Sequence, residues 1–293
     1  MGWTAIEEAI SAATGEPFTA IAAAPIVGGS INEALRLEGE RSTYFVKLNQ
    51  PALADMFAAE AQGLAEIEAT CEVITPAPIC WGEDGRQGWL VLAFIESGYQ
   101  QSWSAGRLGE QLAAMHRHTS ARFGWTRDNY IGRTQQGNTA SNNWVDFYAS
   151  ERLGFQLELA AEQGAPGQLV TAGEQLMAAL PAFFTDYQPV PSLLHGDLWG
   201  GNWACDTAGN PLIFDPAVYY GDREADIAMT ELFGGFDADF YRAYNAAWPL
   251  DAGYQGRKTL YNLYHVLNHF NLFGGGYASQ AMSMTNKLLA EIR

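Results

Sequence analysis

The chain has 293 residues, 48% of them hydrophobic and 13% aromatic, enough to bury one large core or two packed lobes and incompatible with a disordered or collagen-like chain. Lys plus Arg total 16 against 33 Asp plus Glu, a formal charge of −17 that repels a phosphate backbone and argues against nucleic acid as a partner. The three cysteines, Cys71, Cys80 and Cys205, show no CxxC spacing, which argues against a disulfide framework and for a reducing compartment, the cytoplasm.

The first stretch, WTAIEEAISAATG from Trp3 to Gly15, reads as an amphipathic helix and lacks the basic start and apolar run of a signal peptide. No later window approaches the ~18 uninterrupted apolar residues that span a bilayer, so no membrane partner is expected. Residues 18 to 49 predict three short antiparallel strands, broken at Gly28-Gly29 and Gly39-Glu40-Arg41 and ending in the β-rich run Thr43 to Leu48. After Pro51, the apolar stripe Leu53, Met56, Phe57, Ala61, Leu64 and Ile67 recurs every three or four residues and predicts a helix of about five turns. Ile79 to Trp81 and Gly88 to Ile95 complete a five-stranded sheet with one helix.

Beyond Glu96-Ser97-Gly98 the pattern turns helical, at 104 to 119, 143 to 163 and 168 to 186, around a Gly-, Asn- and Thr-rich loop at 124 to 142. Two β-like pieces, 192 to 194 and 212 to 214, predict one short hairpin before helical periodicity resumes to the C-terminus. The expected fold is therefore α+β: a small antiparallel N-lobe over residues 1–95 and a larger, mainly helical C-lobe over 96–293.

The densest polar cluster is His195-Gly196-Asp197-Leu198-Trp199-Gly200-Gly201-Asn202, followed by Ile213-Phe214-Asp215-Pro216. The hairpin can return Asp215 beside the loop, giving two carboxylates and an amide. Mg²⁺ takes hard oxygen ligands, so Asn202 and Asp215 suit a metal that carries nucleotide phosphates, and Asp197 is free to act as a base. Taken alone, a glycine-flanked aspartate is equally a turn residue satisfied by local backbone. Lys47 ends an apolar strand and Glu60 follows thirteen residues later in the next helix, so an ion pair is available that would hold the ammonium at a nucleotide's α- and β-phosphates. Two solvated surface charges are the alternative. Gly28, Gly29, Ser30, Ile31 and Asn32 lie between the first two strands, where small residues let N–H groups approach phosphate, though a plain hairpin turn also explains them.

With the order of strand lysine, helix glutamate, Leu92-Ala93-Phe94-Ile95-Glu96 linker, HGDLWGGN and IFDPA, the sequence resembles the small-molecule branch of the protein-kinase-like phosphotransferases. Within it, FVKLN at 45–49, LLHGDLWGGN at 193–202, IFDPAVYYGDREADIAM at 213–229 and LFGG at 232–235 resemble the fructosamine kinase (ketosamine 3-kinase) family, and the resemblance covers nearly the whole chain. It implies ATP and Mg²⁺ as cofactors, Asp197 as catalytic base, Asn202 and Asp215 on the metal, Lys47 with Glu60 on the phosphates, and the backbone of Ala93, Phe94 and Ile95 on the adenine. It further implies that His195 and Asp226 support the catalytic loop, where for Asp226 a favourable helix-start acid is the alternative. Trp199 is expected to stack on the acceptor sugar or to pack in the core. The implied acceptor is a hydroxyl, O3 by resemblance, of a ketosamine on a small amine or a protein lysine. The rival readings are an aminoglycoside, choline or homoserine kinase of the same fold and a catalytically silent nucleotide-binding scaffold.

Other signals are read as packing. His265 and His269 share a helix face without a third metal ligand, and His116 and His118 point apart. Tyr261, Tyr264, Phe270 and Phe273 are expected in the C-lobe core, and the three cysteines as small buried apolar groups.

Overall fold

A computed structural model describes residues 2–26 and 31–292. Gly28, Gly29 and Ser30 of the glycine-rich segment lie outside the described residues. After helix α1 (Thr4–Thr14), the chain forms β1 (Ala22–Ile26), β2 (Glu33–Glu38) and β3 (Thr43–Asn49), helix α2 (Ala54–Ala69), and β4 (Pro78–Glu83) and β5 (Gly88–Ala93). The five strands make one antiparallel sheet in the order β1-β2-β3-β5-β4.

Strand alternation decides what each face of this sheet meets. Tyr44, Val46 and Leu48 of β3 pack with Ile6 and Ile10 of α1, while Phe45 packs with Phe57, Ala61 and Leu64 of α2. The N-terminal helix thus closes a second face of the sheet, a packing the sequence pattern leaves unassigned. The same alternation aims Lys47 at α2. Pro51 opens a single 3₁₀ turn (Pro51–Leu53) rather than the helix itself, and α2 begins three residues later.

The helical part comprises α3 (Ser104–His116), α4 (Trp144–Phe147), a π-helical stretch Tyr148–Gly154, α5 (Phe155–Glu162), α6 (Gly167–Ala179), α7 (Glu224–Leu232), α8 (Ala238–Ala247), α9 (Tyr254–Phe273) and α10 (Tyr277–Glu291). Leu108, Leu112, Leu157, Leu176, Leu260, Val266 and Leu288 join its single core. Among the described residues no helix is long and apolar enough to cross a membrane.

Three features differ from expectation. The 124–142 loop contains a hairpin, β6 (Asn129–Ile131) with β7 (Thr134–Gln136). The expected single hairpin is two ladders: β8 (Ser192–Leu194) pairs with β11 (Tyr219–Gly221), and β9 (Trp203–Cys205) pairs with β10 (Pro211–Ile213). Cys71 is exposed and Phe273 is 52% exposed, so neither belongs to a core, whereas Cys205, Tyr261 and Tyr264 are buried as expected.

Candidate active site

The two ladders deliver two loops to one place. Residues 195–202 connect β8 to β9, and residues 214–218 connect β10 to β11. The loops are laced together by Phe214 N–H donating to the Asn202 carbonyl (3.1 Å) and Ala217 N–H donating to the His195 carbonyl (2.8 Å). Gly196 sits at φ +83°, and a Cβ there would lie 2.1 Å from the Ala217 carbonyl oxygen, so this close crossing requires glycine.

Lys47 joins the two parts of the molecule. Its Nζ lies 2.5 Å from Glu60 Oε1 and 2.6 Å from Asp215 Oδ1, and the residue is 4% exposed. Burial alone would lower its pKa, but the carboxylates of Asp215 and Glu60 more than offset this and hold the ammonium charged well above its usual range. The alternative of solvated surface charges is therefore not what the structure contains.

Asp197, half-buried, sits on the 195–202 loop near Asp215. Burial, then the negative charges of Asp215 and Asp226, push its carboxyl up to about 7, against a smaller opposing effect of the Asn202 amide. Asn202 Nδ2 donates to the Asp197 carbonyl at 2.8 Å and lies 3.4 Å from its Oδ2. That bond fixes the amide nitrogen, and among the described residues Asn202 Oδ1 has no hydrogen-bond partner. Asp215 keeps 44% of its side chain exposed while one oxygen meets Lys47. An amide oxygen and an open carboxylate are hard donors suited to Mg²⁺, and among the described residues no cluster of three or more His, Cys, Asp or Glu offers an all-protein cage. The donor set therefore fits an ion that shares its ligands with a substrate's phosphates.

Asp226 braces the loop from behind. Its Oδ2 accepts the His195 N–H (2.7 Å) and its Oδ1 the Gly196 N–H (2.8 Å). Its burial would raise the pKa, but the hydrogen bond from His116 and the backbone N–H bonds hold it below the usual carboxylate range. His195, kept neutral by burial, takes the tautomer its neighbours require: Nε2–H donates to the Phe214 carbonyl (2.9 Å) and Nδ1 accepts the Asp197 N–H (3.3 Å).

Two participants escape a pattern reading. His116, set aside with His118 as a poor metal ligand, bridges Asp226 Oδ2 (3.1 Å) and the Tyr244 hydroxyl (2.8 Å) and is buried. Asn49, the last residue of FVKLN, donates from Nδ2 to Asn32 Oδ1 (2.7 Å) and to the Ile31 carbonyl (3.1 Å), tying the described end of the glycine-rich segment to the strand of Lys47. Its place two residues after Lys47 on the same strand face is the signal that points to it.

Of the linker residues, Ala93 commits its N–H to the Ala77 carbonyl (2.8 Å), and Phe94 lies under the Arg36 guanidinium at 4.9 Å. Trp199 is 39% exposed and meets Phe233 edge-on at 6.4 Å, and Phe233 in turn meets His269 at 4.8 Å. These rings form a partly open aromatic face beside the Asp197 loop rather than a closed core.

A profile of the fructosamine kinase family matches residues 2–291. A protein of Synechocystis sp. named "Probable ketoamine kinase" is 48% identical over 292 residues, 98% of this chain and 97% of that relative. The chloroplastic protein-ribulosamine 3-kinase of Arabidopsis thaliana is 42% identical over 269 residues, 91% of this chain and 82% of its own. A solved structure from Haemophilus somnus 129PT, described as "Putative fructosamine-3-kinase", has a TM-score of 0.91 at 29% identity and covers 98% and 97% of the two chains. The aminoglycoside phosphotransferase APH(4)-Ia, at 14% identity and a TM-score of 0.63 over 99% of both chains, shares the fold alone. The architecture is that of the protein-kinase-like phosphotransferases.

Proposed function

Because the chain belongs to the fructosamine kinase family and is a phosphotransferase with an alcohol acceptor, we propose that it transfers the γ-phosphoryl group of ATP, with Mg²⁺, to the O3 hydroxyl of a ketosamine. The observation that carries this reading is the ion-paired cluster of Lys47, Glu60 and Asp215 between sheet and helices, with Asp197 near enough to feel the Asp215 charge and bonded to Asn202. Position O3 is supported by the name of the Arabidopsis relative. Residues 1–95 and 96–293 are proposed as the two lobes that close on the nucleotide, with Gly28 to Asn32 over its phosphates and the backbone of Ala93 to Ile95 at its adenine. The three unbridged cysteines support a reducing cytoplasm as its compartment.

In this reading Asn202 and Asp215 hold Mg²⁺, which when bound offsets the phosphates' negative charge. Lys47 Nζ, kept charged by its two carboxylates, orients the α- and β-phosphates. Asp197 accepts the acceptor hydroxyl's proton as that oxygen attacks the γ-phosphorus and the bond to the ADP oxygen breaks. Asp226, His195 and His116 keep the loop that carries Asp197 in place.

A base held near pH 7 gives a signed pH dependence. The rate at low acceptor concentration is expected to fall about tenfold per pH unit below about 7, as Asp197 becomes protonated. The inflection should move toward lower pH as Mg²⁺ rises, because the cation offsets the Asp215 charge that elevates Asp197. A rate that does not fall between pH 7 and 5 at the lowest Mg²⁺ that sustains turnover contradicts the assignment of the base.

Trp199 is proposed as a wall for the acceptor sugar. Trp199→Ala is expected to raise the acceptor KM about tenfold or more while leaving the ATP KM near its original value, since ring stacking is a binding interaction on one substrate only. Equal changes in both constants contradict it.

The function itself is tested by ATP consumption on fructosyl-lysine, ribulosyl-lysine, choline, homoserine and an aminoglycoside. Turnover confined to the first two is expected. Turnover on an aminoglycoside, choline or homoserine, or nucleotide binding without any turnover, overturns the reading.

A further inference from the structure

The β6–β7 hairpin, with the segment 125–128 that leads into it, touches both partners of Lys47 through their elements. On one side it grips α2, the helix of Glu60. Arg127 Nη2 donates to Asp55 Oδ1 (2.6 Å) and Oδ2 (2.7 Å), Tyr130 Oη donates to Asp55 Oδ2 (3.2 Å), and Trp125 Nε1 donates to Glu66 Oε2 (2.6 Å). On the other side it grips the segment after Asp215. Asn129 Nδ2 donates to the Val218 carbonyl (2.7 Å) and Gln136 Nε2 to the Ala217 carbonyl (3.1 Å).

Both amides are buried, and their remaining groups are occupied in a way that fixes their direction. Asn129 Oδ1 accepts from Gln136 Nε2 (2.8 Å) and Asn138 Nδ2 (2.8 Å), and Gln136 Oε1 accepts from the Tyr264 hydroxyl (2.7 Å). Burying amides is unfavourable unless every group is paired, and apolar side chains would fill the same space without that requirement. What the amides supply is direction: they hold two consecutive carbonyls.

Those carbonyls follow a residue whose backbone needs holding. Asp215 has φ +58°, a left-handed conformation uncommon outside glycine and kept only where the surroundings impose it. Phe214 on one side is fixed by Asn202 and His195, and Ala217 and Val218 on the other by Gln136 and Asn129. The approach to α2 is also close: a Cβ on Gly63 would lie 3.0 Å from a Val218 methyl.

We propose that Asn129 and Gln136 are positioning residues for Asp215, registering it against the helix of Glu60 so that the metal- and phosphate-binding half of the cleft is assembled before nucleotide arrives. The proposal rests on the reading of Asp215 as a metal ligand. Gln136→Met and Asn129→Leu remove the donors while retaining bulk. Partners that orient metal ligands are typically worth 10- to 100-fold in affinity.

The test is calorimetric ADP binding with and without Mg²⁺, which involves no turnover. The variants are expected to lose about tenfold or more of the Mg²⁺-dependent gain in ADP affinity, with metal-free ADP affinity and acceptor KM changed by less than about twofold. Leu288→Ala, a core truncation in α10 far along the chain, should lower Tm without touching the Mg²⁺ gain. If Asn129→Leu fails to fold, Gln136→Met, which leaves the Asn129–Asn138 pair intact, decides alone. Equal loss of metal-free and metal-bound affinity, or a retained Mg²⁺ gain, overturns the positioning role. A wild-type protein in which Mg²⁺ adds nothing to ADP affinity instead overturns the assignment of the metal site.

Discussion

Asp197→Asn is expected to lower turnover by about 10²- to 10⁴-fold while leaving ATP affinity and folding intact, because the substitution removes a proton acceptor and little else. The bond from Asn202 that shapes this loop ends on the Asp197 backbone carbonyl (2.8 Å), which the substitution keeps. The electrostatic sign points the same way. A carboxyl whose folded pKa is raised to about 7 opposes folding where it is ionised, so stability is lost as pH rises from its ordinary value to about 7 and stays lost above that. The neutral asparagine should therefore match or exceed the wild-type Tm at pH 8 even as activity disappears. A loss of activity that follows a fallen Tm, or turnover that survives, contradicts the role of a base held at a cost in stability.

The second large effect falls on Lys47. Lys47→Met leaves Glu60 and Asp215 facing each other without the intervening ammonium, and removing one partner of a buried ion pair typically costs about 3–5 kcal/mol. The lower end applies here, since 44% of the Asp215 side chain reaches solvent. Because Lys47 is a charge held above its ordinary pKa, its contribution to stability is present at neutral pH and is lost only at strongly alkaline pH. The variant should therefore show a lowered Tm at pH 7 and kcat/KM for ATP reduced about 10²- to 10³-fold, as for removal of one preorganised phosphate donor. Acceptor KM measured at saturating ATP should change little. A variant with full stability and an unaltered ATP KM contradicts the role of Lys47 as the joint between the two parts.

Much of this geometry is legible from pattern because it follows from short periodicities. The alternation along Thr43 to Asn49 separates Tyr44, Val46 and Leu48 from Phe45 and Lys47, and Glu60 lies beside the apolar stripe of α2, so both point into one space. The convergence of the 195–202 and 214–218 loops is legible in the spacing of acids and glycines, but the pairing beneath it is not. Three-residue strands such as Ser192–Leu194 and Pro211–Ile213 are buried throughout, show no two-residue alternation and carry no register, so proximity in sequence suggests one hairpin where the structure builds two ladders.

The β6–β7 hairpin is hidden for the opposite reason. Asn129, Gln136 and Asn138 look like loop residues, and only tertiary partners show that their amides are buried and fully directed. His116 belongs to the same group, since its two ring nitrogens find their partners on α7 and α8, more than a hundred residues later. Exposure of single residues such as Cys71 and Phe273 depends on what does not cover them, which no local pattern records.

The most direct measurement is a crystal structure with Mg²⁺, a non-hydrolysable ATP analogue and fructosyl-lysine. The metal is expected at about 2.0–2.1 Å from Asn202 Oδ1 and an Asp215 oxygen, and the Asp197 carboxylate within about 3.2 Å of the acceptor's O3 hydroxyl. A triphosphate bound away from Lys47, or an acceptor hydroxyl reached by some other carboxylate, would contradict the account.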